Sequence, residues 1–154
     1  MKGIYFMSNI IEIKDKNKYM DLLLEADPQE EMILKYINNS DMYGIIDDNK
    51  VVCVICIYRV DNETCELKNI STLKEYRNKG YAHKLIEFVF DKYKKSYKRM
   101  IVGTTENMIP FYVLNGFTKY YKTVKNFFVD NYSEEIWDGD LHCIDMYYYC
   151  KEFK

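Results

Sequence analysis

At 154 residues, with 48% hydrophobic and 30% charged residues, the chain has the length and apolar content of one domain with a substantial core, which excludes a disordered segment. A formal net charge of -2 and no long basic block argue against nucleic acid as a partner, because such binding rests on many phosphate contacts. No apolar run approaches the roughly 20 residues that cross a bilayer, and the first residues do not follow the charged, apolar, small-residue order of a secretion signal, so a cytoplasmic protein without membrane attachment is expected.

A first strand is expected over Asn9 to Ile13, with Met1 to Phe6 as a loose extension before it. Lys16 to Leu24 reads as a helix with Tyr19, Leu22 and Leu23 on one side, and Gln29 to Ile37 as another with Met32, Ile33 and Tyr36; Pro28 separates them. Met42 to Asp47 and Val51 to Val60 are strands joined across Asp48-Asn49-Lys50, and Asp61 to Thr64 is a second turn into a strand beginning near Cys65. This predicts an antiparallel three-stranded meander. A helix from about Ala82 to Ser96 repeats Ala82, Leu85, Ile86, Val89 and Tyr93 at helical spacing, and a strand over Arg99 to Gly103 makes a βαβ unit with a parallel neighbour. Pro110 to Leu114 is a short helix with proline in its first turn, and Phe117 to Val124 and Leu141 to Tyr149 close the sheet.

Cys53, Cys56, Cys65, Cys143 and Cys150 form an odd, scattered set that fits reduced thiols better than a disulfide framework. Cys53-Val54-Ile55-Cys56 has the look of a metal or redox pair, yet it lies inside a strand, where positions three apart point to opposite faces. With His83 and His142 the only histidines, no metal site is expected, and the cysteines read as small buried hydrophobes.

The most informative segment is Arg77-Asn78-Lys79-Gly80-Tyr81-Ala82, a basic turn between a strand and an amphipathic helix. A turn entering a helix aims unpaired backbone N–H groups and the positive end of the helix dipole at one point, which suits phosphate oxygens. Gly80 permits unusual dihedrals and close approach, Ala82 keeps the helix entrance small, and Arg77 and Lys79 add full charges. The same six residues also fit a solvated loop before a surface helix. No Gly-x-Gly-x-x-Gly and no Gly-x-x-x-x-Gly-Lys-Ser/Thr occurs, so dinucleotide-binding and kinase-like readings fall away.

In element order, and above all over Glu66 to Ile86, the chain resembles the GNAT-type N-acetyltransferases, which use acetyl-CoA. Phe111-Tyr112-Val113-Leu114-Asn115-Gly116-Phe117 is similar to that family's aromatic-Tyr-x-x-x-Gly-Phe segment, and the C-terminal run with Phe127-Phe128, Tyr132 and Asp145-Met146 resembles a sparsely characterised bacterial branch. The resemblance implies an α/β (α+β) fold: one N-acetyltransferase domain over 1–154, with a mixed, mostly antiparallel twisted sheet of six or seven strands and about four helices. It implies acetyl-CoA as co-substrate, with Arg77, Asn78, Lys79, Gly80, Tyr81 and Ala82 on the diphosphate. Ile70 and Thr72 would meet the pantetheine amides through their backbone, an N–H near Ile70 would stabilise the oxyanion, and Asn107 would add a further contact. The chain departs from the family in having Ala82 where many relatives have glycine, and in placing Asn107 only five residues before Tyr112.

Acetyl transfer to an amine needs a neutral nitrogen, a polarised thioester carbonyl and a proton for the departing thiolate. An alkylammonium has a pKa of about 10.4, so a base or a water chain must take its proton. The resemblance implies Glu66, eleven residues before Arg77, as that base and Tyr112 as the acid. Read from the residues alone, Glu66 is equally a solvent-facing strand carboxylate paired with a lysine, and Tyr112 one packing tyrosine among 16. Glu134, Glu135, Asp138 and Asp140 around Trp137 form a late acidic loop that either draws a cationic amine or is simply solvated, and Phe127, Phe128 and Tyr132 either line a pocket or cap the core.

Two functions fit: an N-acetyltransferase acting on a small-molecule or peptide primary amine by direct attack in a ternary complex, and a non-catalytic acyl-CoA sensor or scaffold with the same fold. A homodimer through the closing strands is compatible with either.

Overall fold

The computed structural model describes residues 9–154, so the expected extension over Met1 to Phe6 lies outside the described residues. The chain divides into two compact units, one of residues 9–59 with Leu67–Lys95 and the other of Val60–Glu66 with Ser96–Lys154. Among the described residues, seven strands, β1 (Ile10–Glu12), β2 (Ser40–Asp47), β3 (Lys50–Arg59), β4 (Thr64–Thr72), β5 (Arg99–Thr104), β6 (Lys119–Val124) and β9 (Met146–Glu152), form a sheet in the order β1-β2-β3-β4-β5-β9-β6, while β7 (Ile136–Asp138) and β8 (Leu141–Cys143) form a hairpin of their own.

In the first unit β1 (Ile10–Glu12) pairs antiparallel with β2 (Ser40–Asp47), and β2 with β3 (Lys50–Arg59). The β2–β3 turn is Asp48-Asn49, both left-handed at φ 51° and 62°. Two successive positive φ values match the right-handed twist of the flanking strands, and Asp and Asn tolerate them better than other side chains. The strand β4 (Thr64–Thr72) runs on from its first three residues, which belong to the second unit.

The two helices expected before β2 are shorter than their periodicity implies. Lys16–Tyr19 is a 3-10 turn leading into α1 (Met20–Leu23), and α2 (Glu30–Leu34) is followed by a 3-10 turn at Ile37–Asn39. Segments this short are not held by helix propensity. What fixes them is burial: Leu22, Leu23, Ile33, Tyr36 and Ile37 form one core cluster with Ile13, Met42, Val54 and Cys56. A buried polar relay supports the cluster. Asn69 donates from Nδ2 to the Leu23 carbonyl and the Tyr36 hydroxyl, each at 3.0 Å, while the Ser71 hydroxyl donates to Asn69 Oδ1 at 2.8 Å.

Helix α3 (Tyr81–Tyr93) buries Leu85, Ile86, Val89 and Tyr93, four of the five residues whose spacing predicted it, and packs on β2 and β3. Each fully buried aliphatic side chain contributes about 1.5–3 kcal/mol. The far end of α3 is fastened by the Tyr93 hydroxyl, which donates to Asp41 and lies 3.3 Å from the Tyr43 hydroxyl; burial is the main cause of its raised pKa.

In the second unit β5 (Arg99–Thr104) and β6 (Lys119–Val124) flank β9 (Met146–Glu152), both antiparallel to it. Helix α4 (Ile109–Leu114) has proline in its first turn as expected, and α5 (Phe127–Asn131) is a further short helix. The count is therefore five short α-helices among the described residues, against about four expected.

One closing strand is corrected. Leu141 to Tyr149 is not continuous, because β8 (Leu141–Cys143) pairs with β7 (Ile136–Asp138) and the chain leaves strand geometry at Ile144-Asp145 before β9 begins. The cause is the entry to α5: the Asp145 carboxylate accepts the Asn126 N–H at 2.8 Å and the Ile144 carbonyl accepts the Phe128 N–H at 3.0 Å.

Gly103 sits opposite Tyr148 in the β5–β9 pair, and a methyl group there would lie 2.9 Å from the Tyr148 ring and collide with the Met146 sulfur. Gly103→Ala is accordingly expected to destabilise the protein by about 1–3 kcal/mol, the usual cost of overpacking, read as a lowered denaturant midpoint.

Candidate active site

The turn over 77–82 has the unusual backbone its sequence implies. Gly80 stands before α3 at φ 87°, Asn78 two residues earlier is also left-handed at φ 62°, and the helix hydrogen bonding opens with the Lys84 N–H donating to the Gly80 carbonyl at 3.1 Å. No side chain caps this helix start among the described residues, and its first turn holds no acidic residue. The positive end of the helix dipole lies at this turn.

Arg77, Asn78 and Lys79 are exposed. Arg77 Nε donates to the Thr72 carbonyl at 3.1 Å, which ties the turn back to the end of β4, and its guanidinium lies 3.7 Å from Glu25. The Thr72 hydroxyl donates to Cys53 Sγ at 3.2 Å, so this side chain is turned onto β3. Ile70 and Ala82 are half-buried.

Glu66 is 8% exposed, which overturns its reading as a solvent-facing carboxylate. It lies in a run of four buried residues at the start of β4, and along the rest of the strand Asn69 and Ser71 are buried while Lys68, Ile70 and Thr72 are half-buried. Tyr148 of β9 is its electrostatic neighbour in the same unit: burial first, and the Glu66 charge second, push the Tyr148 phenol up to about 12.

Tyr112 lies on α4 between two rings, edge-on to Phe111 at 5.0 Å and to Phe117 at 5.9 Å. Phe117 is fully buried, so the segment packs as a unit, and its N–H donates to the Tyr112 carbonyl at 3.0 Å. Desolvation pushes the Tyr112 phenol up to about 12, which keeps it a proton donor throughout neutral pH. Asn107 is used inside the protein, its Nδ2 donating to the Asp138 carbonyl at 3.0 Å.

The late acidic segment is a strand pair rather than a loop. Trp137 stacks on His142 across β7–β8 with centroids 4.8 Å apart and planes 14° apart, and Asp138 accepts the Thr105 hydroxyl at 2.9 Å. A cavity of about 220 Å³ opens beside this hairpin, lined by Thr105, Glu106, His142, Asp145 and Tyr147 together with Leu141, Cys143 and Ile144. Of the four acidic residues around Trp137, none lines it; Glu106 and Asp145 do. Phe128 is buried and edge-on to Phe127, which favours core packing for that aromatic group.

Residues 38–119 match the family described as the acetyltransferase (GNAT) domain. The chain belongs to the GNAT acetyltransferase family. An uncharacterized N-acetyltransferase of Bacillus subtilis strain 168, YvbK, is 27% identical over 130 residues, 82% of this chain and 83% of its own. A GNAT family acetyltransferase from Elizabethkingia anophelis, solved with acetyl-CoA bound, is 32% identical with a TM-score of 0.83 and covers 93% of this chain and 96% of its own. The IAA acetyltransferase from Bacillus cereus is 25% identical, also at a TM-score of 0.83, over 93% and 97%.

In this GNAT acetyltransferase the electrostatic effect of Glu66 on Tyr148 escaped sequence reasoning. Tyr148 sits among Tyr147 and Tyr149, and only strand register singles it out. Asp47 and Asp48 read as the end of a strand and the start of its turn, yet they accept the Tyr81 and Tyr76 hydroxyls. Gly80, by contrast, is legible, and its need is conformational: a Cβ there would meet nothing within 4 Å. Gly80→Ala is expected to cost about 1 kcal/mol of stability through its positive φ alone, measurable by urea unfolding.

Proposed function

We propose that this chain, acting as one domain over 1–154, transfers the acetyl group of acetyl-CoA to a primary amine by direct attack in a ternary complex. The observation that carries the reading is the uncapped start of α3 behind Gly80, set in a chain 32% identical to an acetyl-CoA-bound acetyltransferase. The amides of Arg77 to Ala82 hold the diphosphate, and the backbone at Ile70 and Thr72 hydrogen-bonds the pantetheine arm as an added strand would.

Glu66 takes a proton from the ammonium form of the acceptor, directly or through water. The freed nitrogen lone pair forms the new C–N bond at the thioester carbonyl carbon, while an N–H near Ile70 stabilises the charge that grows on the carbonyl oxygen. The C–S bond then breaks, Tyr112 gives its proton to the leaving thiolate, and the second proton of the bonded nitrogen passes to the Tyr112 phenolate directly or through water, which leaves a neutral amide and a restored phenol. The products are the N-acetylated amine and coenzyme A. Asn107 keeps a second amide N–H and its carbonyl oxygen for its proposed coenzyme contact while one N–H donates to the Asp138 carbonyl.

Release of free thiol over a panel of small amines and peptides tests the reading, alongside equilibrium binding of coenzyme A. Binding together with thiol release on an amine supports it. Tight binding with no thiol release on any amine replaces it with the sensor reading, and no binding removes both.

A further inference from the structure

The phosphate turn is fastened at both ends to a single hairpin. Tyr76, directly before Arg77, donates its hydroxyl to the Asp48 carboxylate at 2.6 Å, and Tyr81, directly after Gly80, donates to the Asp47 carboxylate. The Asp47 side chain is itself locked, because its other oxygen accepts the Asp48 N–H at 2.8 Å. The two phenol rings meet edge-on with centroids 6.2 Å apart. Lys50 and Lys79 lie over the Tyr76 ring at 5.2 and 5.4 Å, and Lys84 over the Tyr81 ring at 5.5 Å. Only Arg77-Asn78-Lys79-Gly80 is left between the two fixed points, and two of those four residues hold left-handed dihedrals.

Electrostatics alone argue against this placement. Two carboxylates beside a diphosphate site repel the ligand, and the surrounding lysines offset that only in part. Geometry argues for it. A loop whose ends are set in advance loses less freedom when its amides close on an anion.

We infer that Asp47 and Asp48 are positioning residues for the coenzyme: through Tyr81 and Tyr76 they hold the amides of the turn in their diphosphate-binding arrangement before the ligand arrives. The inference rests on the acetyl-transfer reading. It makes the type I′ turn of the β2–β3 hairpin part of the binding apparatus, and it assigns a role to two phenols whose carboxylate partners raise their pKa to about 12.

Two double variants of the full chain separate position from charge. Asp47→Ala with Asp48→Ala removes both acceptors, whereas Asp47→Asn with Asp48→Asn removes the same charge and leaves an acceptor oxygen at each site. For the alanine pair, NMR order parameters of the unliganded amides over 77–82 are expected to fall from about 0.85 to below about 0.6. The acetyl-CoA KM should rise about tenfold with kcat within about twofold, and turnover of S-acetyl-pantetheine, which has no diphosphate, should also stay within about twofold. The asparagine pair should fall between wild type and the alanine pair. Unchanged order parameters, tighter coenzyme binding in both pairs, or an equal loss on both thioesters overturns the positioning role. Wild-type protein that binds no coenzyme A overturns the acetyl-transfer reading and the positioning role with it, whereas wild-type binding beside any of the three preceding results overturns the positioning role alone.

Discussion

Replacing Tyr112 by Phe is expected to lower kcat about 100-fold while leaving the dissociation constant for coenzyme A within about twofold. The substitution removes one oxygen and keeps the ring between Phe111 and Phe117, so its packing survives. What disappears is the proton for the departing thiolate. With its pKa pushed up to about 12, the wild-type phenol remains protonated far beyond neutrality, so wild-type kcat should show no alkaline fall below about pH 10. Stopped-time thiol release from pH 6 to 10, with coenzyme binding by calorimetry, measures both. Undiminished turnover in the phenylalanine variant across that range removes Tyr112 from the acid role.

The larger loss is expected from Glu66→Gln, about 1,000-fold in kcat/KM for the amine near neutral pH. At that pH almost all of an alkyl amine is protonated and a base must free it; as the pH approaches the amine's own pKa of about 10.4, the free form supplies itself. The deficit of the glutamine variant should therefore shrink as pH rises. A second readout does not depend on turnover. Loss of the Glu66 charge removes one of the two causes that raise the Tyr148 pKa, so a tyrosinate absorbance step should move to lower pH in the variant. A rate deficit constant with pH would mean that Glu66 does not handle the amine proton.

The parts of this protein that could be read from sequence are those in which local chemistry and burial agree. Asp48-Asn49 announces a hairpin because both residues tolerate positive φ, and the Leu85, Ile86, Val89 and Tyr93 spacing announces α3 because one helix face packs on β2 and β3. Gly80 and the aromatic segment around Tyr112 were legible for the same reason. Alternation failed over Leu141 to Tyr149, where hydrogen bonds from Asn126 and Phe128, well over ten residues earlier, pull Ile144 and Asp145 out of the strand. The single turns α1, α2 and α5 are too short for periodicity to bound them. Likewise, the Tyr81–Asp47 hydrogen bond joins residues 34 apart, and the charge of Glu66 acts on Tyr148, in a strand far along the chain.

The five cysteines carry a practical consequence. All are free and buried, and burial pushes Cys53 and Cys150 up to about 11 and Cys56 and Cys65 up to about 12, with Cys143 raised as well. A colorimetric disulfide reagent reacts with thiolate, so the folded protein should contribute almost no background while liberated coenzyme is counted. Once the chain is melted, five equivalents should react at once, which turns the same dye into a gauge of the fraction unfolded for every variant described above.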